Sequence, residues 1–233
     1  MVVLAGGYAT RLRPATEKIP KALIEVAGEP FLAHQLRLLA ARGIQRVVLS
    51  VGYRGEMIEE FAGDGSRFGL ETVCVHDGPE PLGTAGAIRL ALPFLGGAFF
   101  TLYGDSYLNC DFEAVAEAFF DSRKTGLMTV FRNDGLFDQS NIVYRDGKIL
   151  VYDKNAHAPD MRYIDYGLGV FRASAFDPIP HGRPFDLSAI YQRLLAARDL
   201  AAFEVFERFY EIGTPEGLAG TEAYLRDQTA GPL

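Results

Sequence analysis

The chain has 233 residues, 48% of them apolar, enough to bury one sizeable core in an α/β unit. Its 23 basic residues are outnumbered by 30 acidic ones, and the formal net charge of −7 excludes a generally basic surface of the kind that binds nucleic acid. No uninterrupted run of about 18 apolar residues occurs, which argues against a membrane span, and the two cysteines, Cys74 and Cys110, lack metal-like spacing and read as reduced structural thiols of a cytoplasmic protein.

The first predicted element is a buried strand, Val2–Ala5, which runs into Gly6-Gly7 and leaves no room for a secretory leader. Arg11, Arg13, Lys18 and Lys21 follow before the next apolar stretch, residues 22–26, which reads as a second strand. Two glycines alone mark only a turn, and the spacing matches neither the three-glycine dinucleotide fingerprint nor the Walker loop. A strand, a glycine pair and four cations in that order nevertheless suit an anion, because backbone N–H groups can approach it with no Cβ in the way.

Helices at residues 30–42 and 56–61 then alternate with strands at 47–51 and 71–75, the pattern of a largely parallel sheet. The run Glu80-Pro81-Leu82-Gly83-Thr84-Ala85-Gly86 introduces a helix at 84–92 whose first residue, Thr84, is placed to cap it or to bond a ribose. Its small residues would let a flat ligand approach the helix start. Asp77 and Glu80 are candidate acceptors for the two adjacent donors of guanine, N1–H and the N2 amine; uracil or cytosine can be served by a backbone segment instead, so the base stays open.

A buried strand at Ala98–Tyr103 ends on Gly104-Asp105. Ligands of open α/β sheets sit at the carboxyl ends of the strands, and a carboxylate there suits Mg²⁺, although an aspartate capping a turn reads the same way. Beyond it come a helix at 112–123, strands at 127–131, 141–144, 149–152 and 166–171 with an Asp-Gly hairpin at 145–148, a helix at 186–197, a strand at 201–206 and a last helix at 215–225. With no repeat, low-complexity tract or linker, residues 1–233 read as one domain. His34, His76, His157 and His181 form no nucleophile pattern and no metal pair, although His76 adjoins the proposed base segment. The aromatic segment 203–210 fits either core or a subunit interface, which leaves a homo-oligomer open.

Leu4-Ala5-Gly6-Gly7-Tyr8-Ala9-Thr10-Arg11-Leu12, followed by Pro20-Lys21-Ala22-Leu23, resembles the signature of the sugar-1-phosphate nucleotidyltransferases. Five further segments resemble elements of that family. The run through Gly83-Thr84 is similar to its base-binding segment, especially in the branch that transfers GMP to mannose or heptose 1-phosphates; Leu102-Tyr103-Gly104-Asp105 is similar to its metal-binding strand end. Tyr152-Asp153-Lys154 with the strand around Asp165-Tyr166-Gly167 resembles its sugar-phosphate elements, and Tyr210-Glu211-Ile212-Gly213-Thr214-Pro215 its second metal motif. Departures stand at Ala9, where glycine is usual, at Ala22, where proline is common, at Tyr103, where asparagine is frequent, and at Glu211, which replaces an aspartate.

The resemblance implies a three-layer α/β/α Rossmann-like fold with a mixed, mostly parallel central sheet and no C-terminal β-helix domain. It implies that Leu4, Ala5, Gly6, Gly7, Thr10 and Arg11 seat a nucleoside triphosphate beside Asp77, Glu80, Gly83 and Thr84. Arg11, Lys21 and Asp105 would act on the reacting phosphorus, Asp153, Lys154, Asp165 and Gly167 on a sugar 1-phosphate, and Asp105 and Glu211 on Mg²⁺. The implied reaction is transfer of GMP from GTP to D-glycero-D-manno-heptose 1-phosphate or mannose 1-phosphate. Cytidylyl or uridylyl transfer is the nearest alternative, and a non-catalytic nucleotide-sugar-sensing subunit a different one, against which the joint presence of Arg11, Lys21 and Asp105 speaks. A dehydrogenase of Rossmann type fails on the missing fingerprint.

Overall fold

A computed structural model describes residues 1–7, 10–12, 14, 16–156 and 158–229. Tyr8, Ala9, Arg13, His157 and the side chain of Thr10, all singled out in the sequence, lie outside what is described.

In chain order the elements are β1 (Val2–Ala5), β2 (Glu25–Val26), β3 (Glu29–Pro30), α1 (Phe31–Ala41), β4 (Arg46–Val51), α2 (Gly55–Ala62), β5 (Glu71–His76), α3 (Gly83–Ala91), β6 (Ala98–Tyr103), β7 (Ser106–Tyr107), α4 (Phe112–Ser122), β8 (Gly126–Arg132), β9 (Ile142–Arg145), β10 (Lys148–Tyr152), β11 (Tyr163–Arg172), α5 (Leu187–Ala196), β12 (Leu200–Val205), β13 (Tyr210–Glu211) and α6 (Pro215–Thr229). Nine strands build the main sheet. β1, β4, β5 and β6 run parallel, β11 lies antiparallel to both β6 and β8, and β12 lies parallel to β8. β9 and β10 form the expected hairpin on the other flank of β11.

Strand periodicity explains the three layers. Side chains alternate between faces, so Val3, Val47, Leu49 and Leu127 pack with α1, α2 and α4, whereas their neighbours Val2, Val48 and Met128 pack with α3 and α5. Helices therefore cover both faces, as strands apolar on both sides require. A smaller cluster of Val26, Phe31, Ile212 and Leu225 fastens α6 to the β2–β3 hairpin.

The chain order also creates a crevice. From β1 it proceeds outward through β4 to β5 on one side, then crosses back so that β6 pairs with the other edge of β1. Strand order thus reverses between β1 and β6, and their carboxyl ends, Ala5 and Tyr103, open the gap in which ligands of such sheets lie.

The expected strand at 22–26 is corrected. Lys21–Leu23 form a turn of 3-10 helix, and only Glu25–Val26 are extended, paired with β3 outside the main sheet. β1 already has both edges occupied by β4 and β6, so a strand following it has no place beside β1. In the 203–210 segment, Val205 is buried, Phe203 and Phe209 are partly buried against the core, with Phe209 edge-on to Phe131, and Phe206, Glu207 and Arg208 are exposed. Both cysteines are free, and burial raises their thiols to about 11 at Cys74 and about 12 at Cys110, which keeps them protonated and unreactive. No helix among the described residues is long and apolar enough to cross a membrane.

Gly104 joins β6 to β1 most closely: its N–H donates to the Leu4 carbonyl at 2.9 Å, and a Cβ there would lie 2.7 Å from that oxygen and 3.0 Å from Ala5 Cα. Both obstacles are backbone and cannot swing aside. Gly104→Ala is expected to lower stability by about 1–3 kcal/mol in urea unfolding, the usual cost of forcing an atom into a packed region; an unchanged midpoint would show that the two strand ends are free to part.

Candidate active site

The crevice between β1 and β6 is a cleft of about 270 Å³. Leu4, Ala5, Gly6 and Gly7 form one wall, Tyr103, Gly104 and Asp105 another, and Pro81, Gly83, Thr84 and Ala87 close it, with Ser50 and Asp77 at the ends of β4 and β5 and Lys21-Ala22 at its mouth. Apolar and small residues line most of it, which suits a flat aromatic base. Asp77 stands close to Gly6: a Cβ on that glycine would lie 3.1 Å from Asp77 Oδ2. Burial raises the Asp77 carboxyl above the ordinary carboxylate range, opposed by a hydrogen bond from the Leu82 backbone.

At the opposite end, Lys21 Nζ donates to Asp105 Oδ2 at 2.7 Å. The turn that carries Asp105 is held from below by Gln35, whose Nε2 donates to the carbonyls of Tyr103 (3.2 Å) and Ser106 (2.8 Å) from the buried face of α1. β13 clips onto β7, pairing Glu211 with Ser106, while Ile212 N–H donates to the Asp105 carbonyl at 3.0 Å. Glu211 is thereby brought to Asp105. A Cβ on Gly213 would lie 2.7 Å from Glu211 Oε2, 3.4 Å from Asp105 Oδ2 and 3.6 Å from Lys21 Nζ, so three charged groups converge on one spot. Two carboxylates of hard oxygen donors fit Mg²⁺, which takes one or two such groups and completes its shell with water and phosphate. Among the described residues no cluster of three or more His, Cys, Asp or Glu forms a closed metal cage.

Across Tyr103 lies a second group of sites. β11 bulges between Asp165 and Gly169, and Gly167 adopts a φ of +100°, a conformation that favours glycine. Its N–H donates to Asp165 Oδ1 at 3.0 Å, and burial raises the Asp165 carboxyl to about 6 against the opposing pull of that bond and of Lys154. Lys154 Nζ reaches Asp186 at 3.2 Å, and Asp186 caps α5 through Ser188 N–H. Asp153 accepts from Asn155 N–H at 2.8 Å and so shapes its own turn.

Two sequence expectations are revised. α3 begins at Gly83, not Thr84, and the Thr84 hydroxyl does not cap it but accepts from Leu187 N–H at 2.7 Å, tying α3 to α5. The bare faces of Gly83 and Gly86 meet protein backbone: Cβ atoms there would lie 2.8 Å from the carbonyl oxygens of Phe185 and Arg183, respectively. Gly83 and Thr84 line the cleft all the same, whereas Glu80 is exposed and outside its lining, and Arg11 is exposed on the 3-10 turn Thr10–Leu12, also outside it. Sequence reasoning missed Ser50, Asp186 and Gln35; the visible sign of Gln35 was an amide on the apolar face of α1. Of the described histidines, His34 donates to the Val26 carbonyl, His76 pairs with Glu59, and His181 meets Arg89.

The nucleotidyl transferase family model matches residues 1–135. The chain is 30% identical over 230 residues to the mannose-1-phosphate guanylyltransferase catalytic subunit beta of Drosophila melanogaster, covering 96% of this chain and 62% of the relative. It is also 30% identical over 229 residues to the mannose-1-phosphate guanylyltransferase of Mycobacterium tuberculosis, covering 96% of this chain and 64% of that one. The chain thus spans just under two-thirds of these relatives. HddC from Yersinia pseudotuberculosis, solved in complex with GMP-PN, superposes with a TM-score of 0.79 at 24% identity, covering 96% of this chain and 98% of its own.

The half-buried Asp165 carboxyl makes stability depend on pH. Folded, it keeps its proton to about pH 6, whereas the ordinary value is 3.8, so between these limits the folded state binds more protons and its stability falls as pH rises. Asp165→Asn removes that loss. Urea melts in steps from pH 4 to pH 7 are expected to show the variant gaining on the native protein up to about pH 6 and level thereafter; a difference independent of pH would mean that Asp165 is solvated.

Proposed function

The chain belongs to the nucleotidyl transferase family, and from that membership we propose that it transfers GMP from GTP to a sugar 1-phosphate of mannose or D-glycero-D-manno-heptose type, releasing pyrophosphate. The observation that carries this reading is the convergence of Lys21, Asp105 and Glu211 at the end of β6, on the rim of an apolar slot of nucleobase size.

A sugar 1-phosphate is largely dianionic near neutral pH, because the second pKa of a phosphate monoester is about 6, so it needs no general base. A non-bridging oxygen attacks the α-phosphorus, a new P–O bond forms, and the bond to the bridging oxygen breaks with its electron pair leaving on pyrophosphate. The obstacles are repulsion between two anions and the in-line geometry of their approach. The backbone N–H groups of Gly6 and Gly7 border the triphosphate seat; Lys21 holds phosphate oxygens and Arg11, on its exposed turn, closes over them. Lys154 takes the incoming phosphate and Asp165, ionised above about pH 6, accepts from sugar hydroxyls. Asp105 and Glu211 would hold Mg²⁺, which supplies Lewis-acid neutralisation of the phosphoryl oxygens when bound.

The guanine preference rests on Asp77 and on the curated relatives. Asp77 lines the slot and offers adjacent acceptor oxygens, while Glu80 lies outside it and is not required. Ser50 Oγ, 3.5 Å from Asp77 Oδ1, orients the carboxylate.

Pyrophosphate release with Mg²⁺, across GTP, ATP, CTP, UTP and dTTP against a panel of sugar 1-phosphates that includes mannose and manno-heptose, is the direct test. Turnover is expected with GTP and a manno-configured phosphate. Turnover with CTP or UTP instead would overturn the base assignment, and nucleotide-sugar binding without any turnover would favour the sensing alternative. Asp105→Ala and Lys21→Ala are each expected to reduce kcat/KM by about 10²–10³-fold, the range for removing one electrostatic stabiliser.

A further inference from the structure

Resting on the reading of Glu211 as a metal carboxylate, we propose that Gly217 is its positioning residue: the side chain missing from the first turn of α6 is the space into which the longer glutamate arm folds, so that its carboxylate rests beside Asp105. Glu211 Oε1 accepts from Thr214 Oγ1 at 2.8 Å, and Oε2 accepts from Gly213 N–H. The same Thr214 hydroxyl accepts from Gly217 N–H at 3.0 Å, so helix, threonine and carboxylate form one chain of hydrogen bonds. A Cβ on Gly217 would lie 2.5 Å from Glu211 Cδ, would overlap Oε1, and would lie 2.8 Å from the Glu211 carbonyl oxygen. That carbonyl is itself held by Thr221 Oγ1 at 2.8 Å, and β13 is paired to β7, so the strand cannot retreat. The arm alone would have to leave.

Glycine inside a helix is destabilising relative to alanine, since it loses more backbone freedom on folding. Its presence here runs against local preference and is explained by the volume of the carboxylate. An aspartate at position 211 is one methylene shorter and would leave that volume unfilled. Glu211 and Gly217 therefore act as a compensating pair, six positions apart.

Four proteins test this: the native chain, Gly217→Ala, Glu211→Asp and the double variant, each measured for thermal unfolding and for Mn²⁺ binding with GTP present, read from the free Mn²⁺ resonance. Gly217→Ala is expected to lower Tm and to weaken Mn²⁺ binding about tenfold, the scale seen when support of a ligating group is lost. Adding Glu211→Asp to it is expected to recover most of both, because the shorter arm no longer meets the methyl group. Helix preference alone gives the opposite sign, so a higher Tm for Gly217→Ala overturns the proposal. Additive losses in the double variant overturn it equally. Recovery of Tm with identical Mn²⁺ binding in all four proteins supports the seat and removes Glu211 from the metal site.

Discussion

The 2.7 Å contact between Lys21 and Asp105 ties together segments that lie 84 positions apart, and the rest of the site is arranged around it. Asp105 arrives there because β6 adds to the free edge of β1 and ends in a glycine thin enough to touch it. Lys21 arrives because the chain after β1, unable to extend a strand whose two edges are taken, turns instead through a short helix over the strand ends. Gln35 from below and β13 from the side fix the turn that holds Asp105. The cleft is a consequence of strand order, and its charge is a consequence of which residues stand at the strand ends.

Charge balance sets the chemistry. Two carboxylates close together would repel an incoming triphosphate, and the lysine paired with Asp105 offsets part of that charge. The interaction of unit charges about 4 Å apart is about 1 kcal/mol in water and about 4 kcal/mol at an effective dielectric of 20, so the half-buried rim of the cleft is where such pairing counts. The cleft itself is the opposite case: it is walled by Leu4, Ala5, Pro81 and Ala87, with Asp77 in its lining, and it suits the flat base of the proposed reading. In the proposed reading, ionic and apolar recognition share one crevice.

Much of this was legible in the residues. β1 and β6 were bounded correctly because both are short, apolar and stopped by glycine. Residues 22–26 were misread because five mostly apolar residues carry the same signal whether or not an open sheet edge exists, and edge availability is a property of the finished sheet. The capping reading of Thr84 fails for a related reason: a threonine near a helix start looks like a cap, but its partner, Leu187 N–H, is 103 positions away. Asp105 and Glu211 were each marked by local motifs, yet their meeting depends on the two-residue pairing of β7 with β13, too short to leave a periodic pattern. Gly217 carried no sign at all, because the atom that needs its space belongs to another element.

The most direct measurement of the central claim, that Lys21 and Asp105 form a single reactive centre, is a double-mutant cycle on kcat/KM for pyrophosphate release with Lys21→Ala, Asp105→Ala and both together. Groups that act as a unit are strongly non-additive. The double variant is expected to be no more than about tenfold worse than the poorer single variant, since either change already dismantles the pair. Losses that multiply in full would contradict the account, and would mean that the two side chains serve the reaction independently of their contact.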